Sequence, residues 1–191
     1  GLSPSNRHIE GVVEMMLDAT QRHTEPLTEK RLFGWHAALF PTGFSGPYKI
    51  EVGQYRTTNI QVVSGAMGKE KVHYEAVKHA LVQKEMDKFL DWFNHDHTLD
   101  LVMKAAIAHF WFIIIHPFGD GNGRIGRAIT DMLLARAENS GERFYSMSSQ
   151  ILEERKQYYD VLQKVQHSSN DITEWLNWSL QCLKNAILAT E

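Results

Sequence analysis

Cysteine is almost missing from this chain. Cys182 is the only one among 191 residues, so no disulfide framework can form, and its neighbours Leu180 and Leu183 read as burial of a thiol in a reducing, cytoplasmic compartment. Long apolar runs are missing too: the longest, Ala105 to Ile115, contains His109 and is shorter than the roughly 20 residues of a membrane span. No secretory segment is visible. An excess of basic charge is absent, the formal net charge being -3, and this argues against a nucleic-acid binder because counterion release rewards a basic face. Repeats and low-complexity tracts are absent as well. What remains is a protein or small-molecule partner, with no nucleic acid and no membrane, and a mostly helical surface that could support a homodimer. The chain opens at Gly1 rather than Met, which reads as a trimmed or tagged chain with segments missing upstream.

The 43% hydrophobic content suffices for one domain over residues 1–191 and is too thinly spread for two. Ser5 and Asn6 can cap a helix in which Ile9, Val12, Val13, Met16 and Leu17 recur at helical spacing. A second helix begins near Thr28 with Leu32, Trp35, His36 and Leu39 on one side, His36 being a core or boundary histidine. The turn-rich stretch Pro41 to Pro47 predicts a loop. Lys49 to Val52, a turn at Gly53, and Tyr55 to Val63 predict a β-hairpin over 48–66, followed by a mobile tip or connection from Gly65 to Lys71. Helical rhythm returns from Val77 to Asn94. His95-Asp96-His97 then reads as a solvated helix end rather than a metal site. Phe110 to Ile115 alone could be a buried strand, but the apolar segment from Asp100 is too long for one and predicts a central helix. Three more helices are expected: one from Ile125 to before Ser140, one carrying Ile151 to Val165, and a last one from Asn170 or Asp171. The fold class is mainly α, a helical bundle with one small β-hairpin.

The chemistry is concentrated in His116-Pro117-Phe118-Gly119-Asp120-Gly121-Asn122-Gly123-Arg124-Ile125-Gly126-Arg127. Gly121, Gly123 and Gly126 match a dinucleotide-binding fingerprint, but the strand-helix alternation of that fold is lacking, and no Gly-Lys-Ser/Thr completes a P-loop. Arg124 and Arg127 sit in the first turn of the helix after the glycine turn, where positive side chains oppose the helix dipole. An anion reverses that sign. Backbone amides at a helix N-terminus together with two arginines make a polyphosphate site.

This segment resembles the signature of Fic-domain proteins, His-Pro-Phe-x-Asp/Glu-Gly-Asn-Gly-Arg-x-x-Arg, with every specified position filled. The resemblance extends from about Pro41 to Gln166. It implies a Fic-type bundle that transfers AMP from ATP to a Ser, Thr or Tyr hydroxyl of a target protein. In that reading His116 is the base, Asp120 holds Mg2+, and Gly121, Asn122 and Gly123 cradle phosphate oxygens, Asn122 adding its side chain. Arg124 and Arg127 clamp the β- and γ-phosphates. Gly123 stands where the kinase-like Doc proteins carry Lys, which favours nucleotidyl transfer over phosphorylation. Thr57, Thr58, Ile60, Gln61, Val62 and Val63 look like the flap that docks a target by strand pairing. Tyr158, Tyr159 and Gln166 point to the adenine pocket, although family members often have Asn at the Gln166 place.

Asn6-x-x-x-Glu10-Gly11 is similar to the inhibitory helix of many Fic proteins, within residues 1–22, where the glutamate pairs with the last arginine of the motif, here Arg127. The alternatives carried beside AMP transfer are removal of AMP at the same site, with Glu10 positioning water, and a nucleotide-binding regulatory module with little turnover.

Overall fold

The computed structural model describes residues 4–66, 68–142, 145–168 and 170–190. Its order is α1 (Pro4–Gln21), α2 (Glu29–Leu39), β1 (Phe44–Ser45), β2 (Tyr48–Lys49), β3 (Gln61–Ser64), β4 (Lys71–Glu75), α3 (His79–His95), α4 (Leu101–Ile115), α5 (Asn122–Glu138), α6 (Met147–Glu153), α7 (Arg155–Gln166) and α8 (Thr173–Leu188). The class is the expected one, mainly α with little β.

Local chemistry sets several boundaries. Thr28 caps α2 by accepting the Arg31 amide, and Asp100 caps α4 by accepting the amides of Val102 and Met103. Asn139, in the left-handed region at φ 50, ends α5 before Ser140. The single helix expected from Ile151 to Val165 is two. The chain breaks at Glu154, whose carboxylate accepts the Asn185 amide of α8 at 2.6 Å. That side chain lies far along the sequence, so the break has no local signal.

The hairpin expectation needs correction. Residues 48–66 do not pair with themselves. Instead β1 and β2 form one minimal hairpin, and β3 pairs antiparallel with β4, Gln61 opposite Glu75 and Ser64 opposite Lys71, with an irregularity between Val62 and Val63. Residues 50–60 run between the two hairpins, because Arg56 is buried and its donors are spent on backbone carbonyls rather than on a ladder. Thr57, Thr58 and Ile60 therefore belong to the stem of the flap, and only Gln61, Val62 and Val63 to its strand.

The most central helix is α5: Ile125, Ala128, Ile129, Met132 and Leu133 are fully buried, and it touches α1, α2, α4 and α6. Helix α4 is apolar almost all round, as expected, yet several of its residues, including Phe110, Trp111 and Ile114, are only half-buried. The α4–α5 contact is close because Gly126 faces Ile113 and His109, where a Cβ would come within 3.1 Å of Ile113 Cδ1. Lys104 closes the C-terminus of α3 by donating to the carbonyls of Phe93, at 2.8 Å, and Asp96. Cys182 is buried, with its thiol pKa pushed up by that burial. No helix among the described residues is long and apolar enough to cross a membrane.

Candidate active site

The turn between α4 and α5 is built to present His116. Pro117 cannot continue α4, and His116 adopts the left-handed conformation, φ 51 and ψ 60, while its amide still donates to Phe112 O at 2.9 Å. Its Nδ1 lies 3.0 Å from the Ile113 carbonyl. A carbonyl can only accept, so Nδ1 carries the hydrogen and Nε2 keeps its lone pair. Burial pushes the imidazole pKa down to about 4, with the Arg56 cation adding to the fall and the Ile113 bond and Asp120 opposing it. The ring is therefore a neutral base at physiological pH.

The following loop is held from both sides. The Asn122 carboxamide closes on Phe118, its Oδ1 accepting the Phe118 amide at 2.9 Å and its Nδ2 donating to the Phe118 carbonyl at 2.8 Å. His36 accepts the Gly53 amide at Nδ1 and donates from Nε2 to the Asp120 carbonyl at 3.0 Å, with its ring stacked on Phe118 at 4.3 Å. Gly121 sits at φ 86, and a Cβ there would lie 2.9 Å from the Phe40 ring and 3.3 Å from Leu39. Both its conformation and its space require glycine. The Asp120 carboxylate accepts from Ser45 Oγ and, at 2.6 Å, from the Gly121 amide.

These groups open on one cleft of about 400 Å³ lined by His116, Asp120, Gly121, Asn122, Gly123, Arg124, Arg127, Tyr158 and Tyr159. Arg124 lies over the Phe40 ring at 4.8 Å and only 3.9 Å from Asp120 Oδ1. Arg127 has no hydrogen bond or ion pair among the described residues, and burial pulls its pKa down. A part-buried guanidinium that faces a cleft with its hydrogen-bond donors unspent, attracted by Asp131 only at a distance, marks an anion site. Tyr158 donates to His109 Nε2 at 2.9 Å; His109 Nδ1 donates to Thr130 at 2.9 Å, and Thr130 to Gly126 O at 3.0 Å. This chain braces the cleft floor. Tyr159 stacks on His73 of β4 at 4.5 Å.

Three expectations come out differently. Asn122 commits its side chain to Phe118, so it offers the cleft backbone rather than a carboxamide. Gln166 is absent from the cleft, because it lies two turns beyond Tyr158 on α7, about 12 Å along the axis. Glu10 is exposed and makes no ion pair with Arg127. Helix α1 is fixed by Gly11 against Ala38, where a Cβ would fall 1.8 Å from the carbonyl oxygen, and by His8 Nδ1 donating to Leu39 O at 3.1 Å, and that docking leaves Glu10 outside the cleft. Of the flap residues, Val62 and Val63 line the cleft; Thr57, Thr58, Ile60 and Gln61 do not. Sequence reading missed Ile151, Leu152 and Arg155, which line the wall opposite the loop. The signal for Arg155 was its place one helical turn before Tyr158 and Tyr159, over whose ring it lies at 5.8 Å.

The model of the Fic/DOC family matches residues 26–134 of this chain. The chain belongs to the Fic/DOC family. The matched Fic/DOC segment ends in α5, so it contains the whole His116–Arg127 loop and the flap. Among relatives, the chain is 33% identical over 90 residues to "Protein adenylyltransferase fic-1" of Caenorhabditis elegans, covering 46% of this chain and 16% of that protein. It is 28% identical over 142 residues to "Protein adenylyltransferase Fic" of Nematostella vectensis, covering 73% of this chain and 29% of that protein. The chain thus spans less than a third of those curated relatives. In three dimensions it resembles a Fic family protein from Desulfovibrio desulfuricans with TM-score 0.73 at 24% identity, covering 93% of this chain and 52% of that one. A Fic-domain signaling protein from Bacteroides thetaiotaomicron gives TM-score 0.71 at 25% identity, covering 96% and 68%.

Proposed function

We propose that this chain catalyses transfer of AMP from ATP to a Ser, Thr or Tyr hydroxyl of a target protein. The observation that carries the reading is a neutral His116, its Nδ1–H spent on Ile113, in one cleft with the unpaired Arg127, Arg124 and the first amides of α5. In the reaction the target hydroxyl oxygen bonds to the α-phosphorus, the bond from that phosphorus to the bridging oxygen breaks, and pyrophosphate leaves. His116 Nε2 takes the hydroxyl proton. Arg124, Arg127 and the amides around Gly121 to Gly123 receive the charge of the departing phosphates. A Cβ at Gly123 would sit 3.4 Å from Arg127 Nη1, so a longer side chain there would crowd the γ-phosphate clamp; this supports nucleotidyl transfer over a kinase reaction.

Asp120 would hold Mg2+. Its side chain is 46% exposed, and Ser45 and the Gly121 amide each engage one oxygen, leaving hard carboxylate lone pairs of the kind magnesium takes. Bound there, the ion would offset negative charge on the leaving group. Val62 and Val63 would lie beside the incoming target segment. The names of the adenylyltransferase relatives and the buried lone thiol support ATP as substrate, a protein target and a cytoplasmic setting.

Incubation with α-labelled and γ-labelled ATP, followed by intact mass, tests the reading. AMP incorporation that disappears in His116→Ala is the expected result. Transfer of γ-label, or AMP incorporation surviving in His116→Ala, would overturn it. Inhibition from α1 belongs to the same reading, since Leu39, which lies against Gly121, also receives the start of α1 through His8. Glu10 enters this reading only as a partner that would reach Arg127 if α1 shifted: a Glu10→Gly protein that labels faster than wild type supports that role, and equal rates remove it.

A further inference from the structure

Helix α4 ends one residue before a proline turn, and this releases a carbonyl. In a continuing α-helix Ile113 O would accept the amide of residue 117, but Pro117 has no amide hydrogen. Two side chains use that oxygen instead: His116 Nδ1 at 3.0 Å and Tyr74 Oη, from β4, at 2.9 Å. Arg56 takes the next carbonyls. Its Nε donates to His116 O at 2.7 Å, its Nη2 to Ile115 O at 3.2 Å, and its backbone amide to Pro117 O at 2.9 Å. The same guanidinium reaches Thr58 O at 2.7 Å and Val77 O, the two ends of the segment that carries the β3–β4 hairpin.

Arg56 is 3% exposed and Tyr74 4%. A buried cation whose partners are all carbonyls is an expensive way to join a hairpin to a helix, because apolar residues of similar volume would pack as well without the desolvation penalty. What carbonyl partners add is direction. His116 needs it: a non-glycine residue in the left-handed region is strained and persists only when its surroundings impose it.

We propose that Arg56 and Tyr74 are positioning residues for His116, holding its backbone by the carbonyls at the end of α4 and tying the base to the hairpin that would receive the target. This rests on reading His116 as the base. Tyr74 and His116 share one acceptor, so losing the tyrosine hydroxyl strengthens the Nδ1–H bond that favours the imidazolium. Losing the Arg56 cation acts in the same direction.

The test compares wild type with Tyr74→Phe, Arg56→Gln and Arg56→Lys. Histidine-labelled protein is titrated by NMR, with the His116 signal identified by its loss in His116→Gln, and melting temperature, kcat and KM for ATP are measured alongside. In Tyr74→Phe the expected result is an upward shift of the His116 midpoint and a kcat lower by about three- to tenfold, the range of one hydrogen bond, with KM for ATP little changed. Arg56→Gln moves both further, and Arg56→Lys recovers part of the loss. Folded variants whose His116 titration and kcat match wild type, whatever their melting temperature, would overturn the proposal. Tyr74→Phe keeps the buried volume and decides the matter alone if the Arg56 variants do not fold. Wild type that incorporates no AMP would defeat the transferase reading, while the titration would still report whether His116 is held.

Discussion

His116 combines a fixed tautomer with a pKa pushed down to about 4. The first comes from Ile113 O, the second from burial. Protonation removes the Nε2 lone pair, so activity is present above the histidine pKa and falls as pH drops through it. The expected kcat/KM for AMP incorporation is nearly flat from pH 8 to 5.5 and declines below pH 5, whereas an ordinary histidine would halve the rate near 6.5. Bound phosphates favour the imidazolium, so the kcat profile should fall at a higher pH than the kcat/KM profile. A kcat/KM midpoint at 6.5 in the free enzyme would contradict the burial argument. At the same scale, Gly121 was legible as a turn glycine. The second reason for it, the Phe40 ring 2.9 Å from where a Cβ would be, belongs to α2's end and could not be read locally.

Among the elements, α1 changed meaning most. Its amphipathic spacing and cap were plain in the sequence, and so was Glu10-Gly11. The resemblance to Fic proteins implied a glutamate paired with Arg127, while the geometry explains the glycine: α1 crosses α2 there, against Ala38 O. Asp18 secures the same crossing through Arg31 Nε at 2.7 Å and Trp35 Nε1 at 2.6 Å. Gly11→Ala must push the helices apart, which is expected to cost about 1–3 kcal/mol or more by overpacking. Denaturant unfolding measures it, and an unchanged midpoint would refute the close crossing. The flap teaches the same lesson at the level of strands. Tyr55 to Val63 read as one strand by its β-branched residues, but a strand needs a partner. Lys71-Val72-His73-Tyr74-Glu75 supplies it, with His73 and Tyr74 buried against α7 and α4.

At the scale of the molecule, burial of neutral histidines links stability to pH. His109, with its pKa down to about 3, and His116, at about 4, stay unprotonated in the folded chain while the unfolded chain takes up their protons near 6.5. Stability is therefore full above pH 6.5 and is lost as pH falls toward the folded values, at up to about 1.4 kcal/mol per pH unit for each histidine. Urea unfolding from pH 7 to 4.5 should show this fall, with a shallower slope in His109→Gln; equal slopes would remove His109 from the account. The fold class and the helix-turn-helix that carries His116 to Arg127 were legible in the residues alone, because periodicity, caps and a contiguous twelve-residue motif are local properties of the chain. Packing of the helices was needed to show which carbonyl holds His116, that Arg127 makes no ion pair with Glu10, that Gln166 lies outside the cleft, that Arg155 lines it, and that Arg56, Tyr74 and His109 bond to the elements around it. Each of those is a contact between residues distant in sequence, and such contacts are set by how the helices pack.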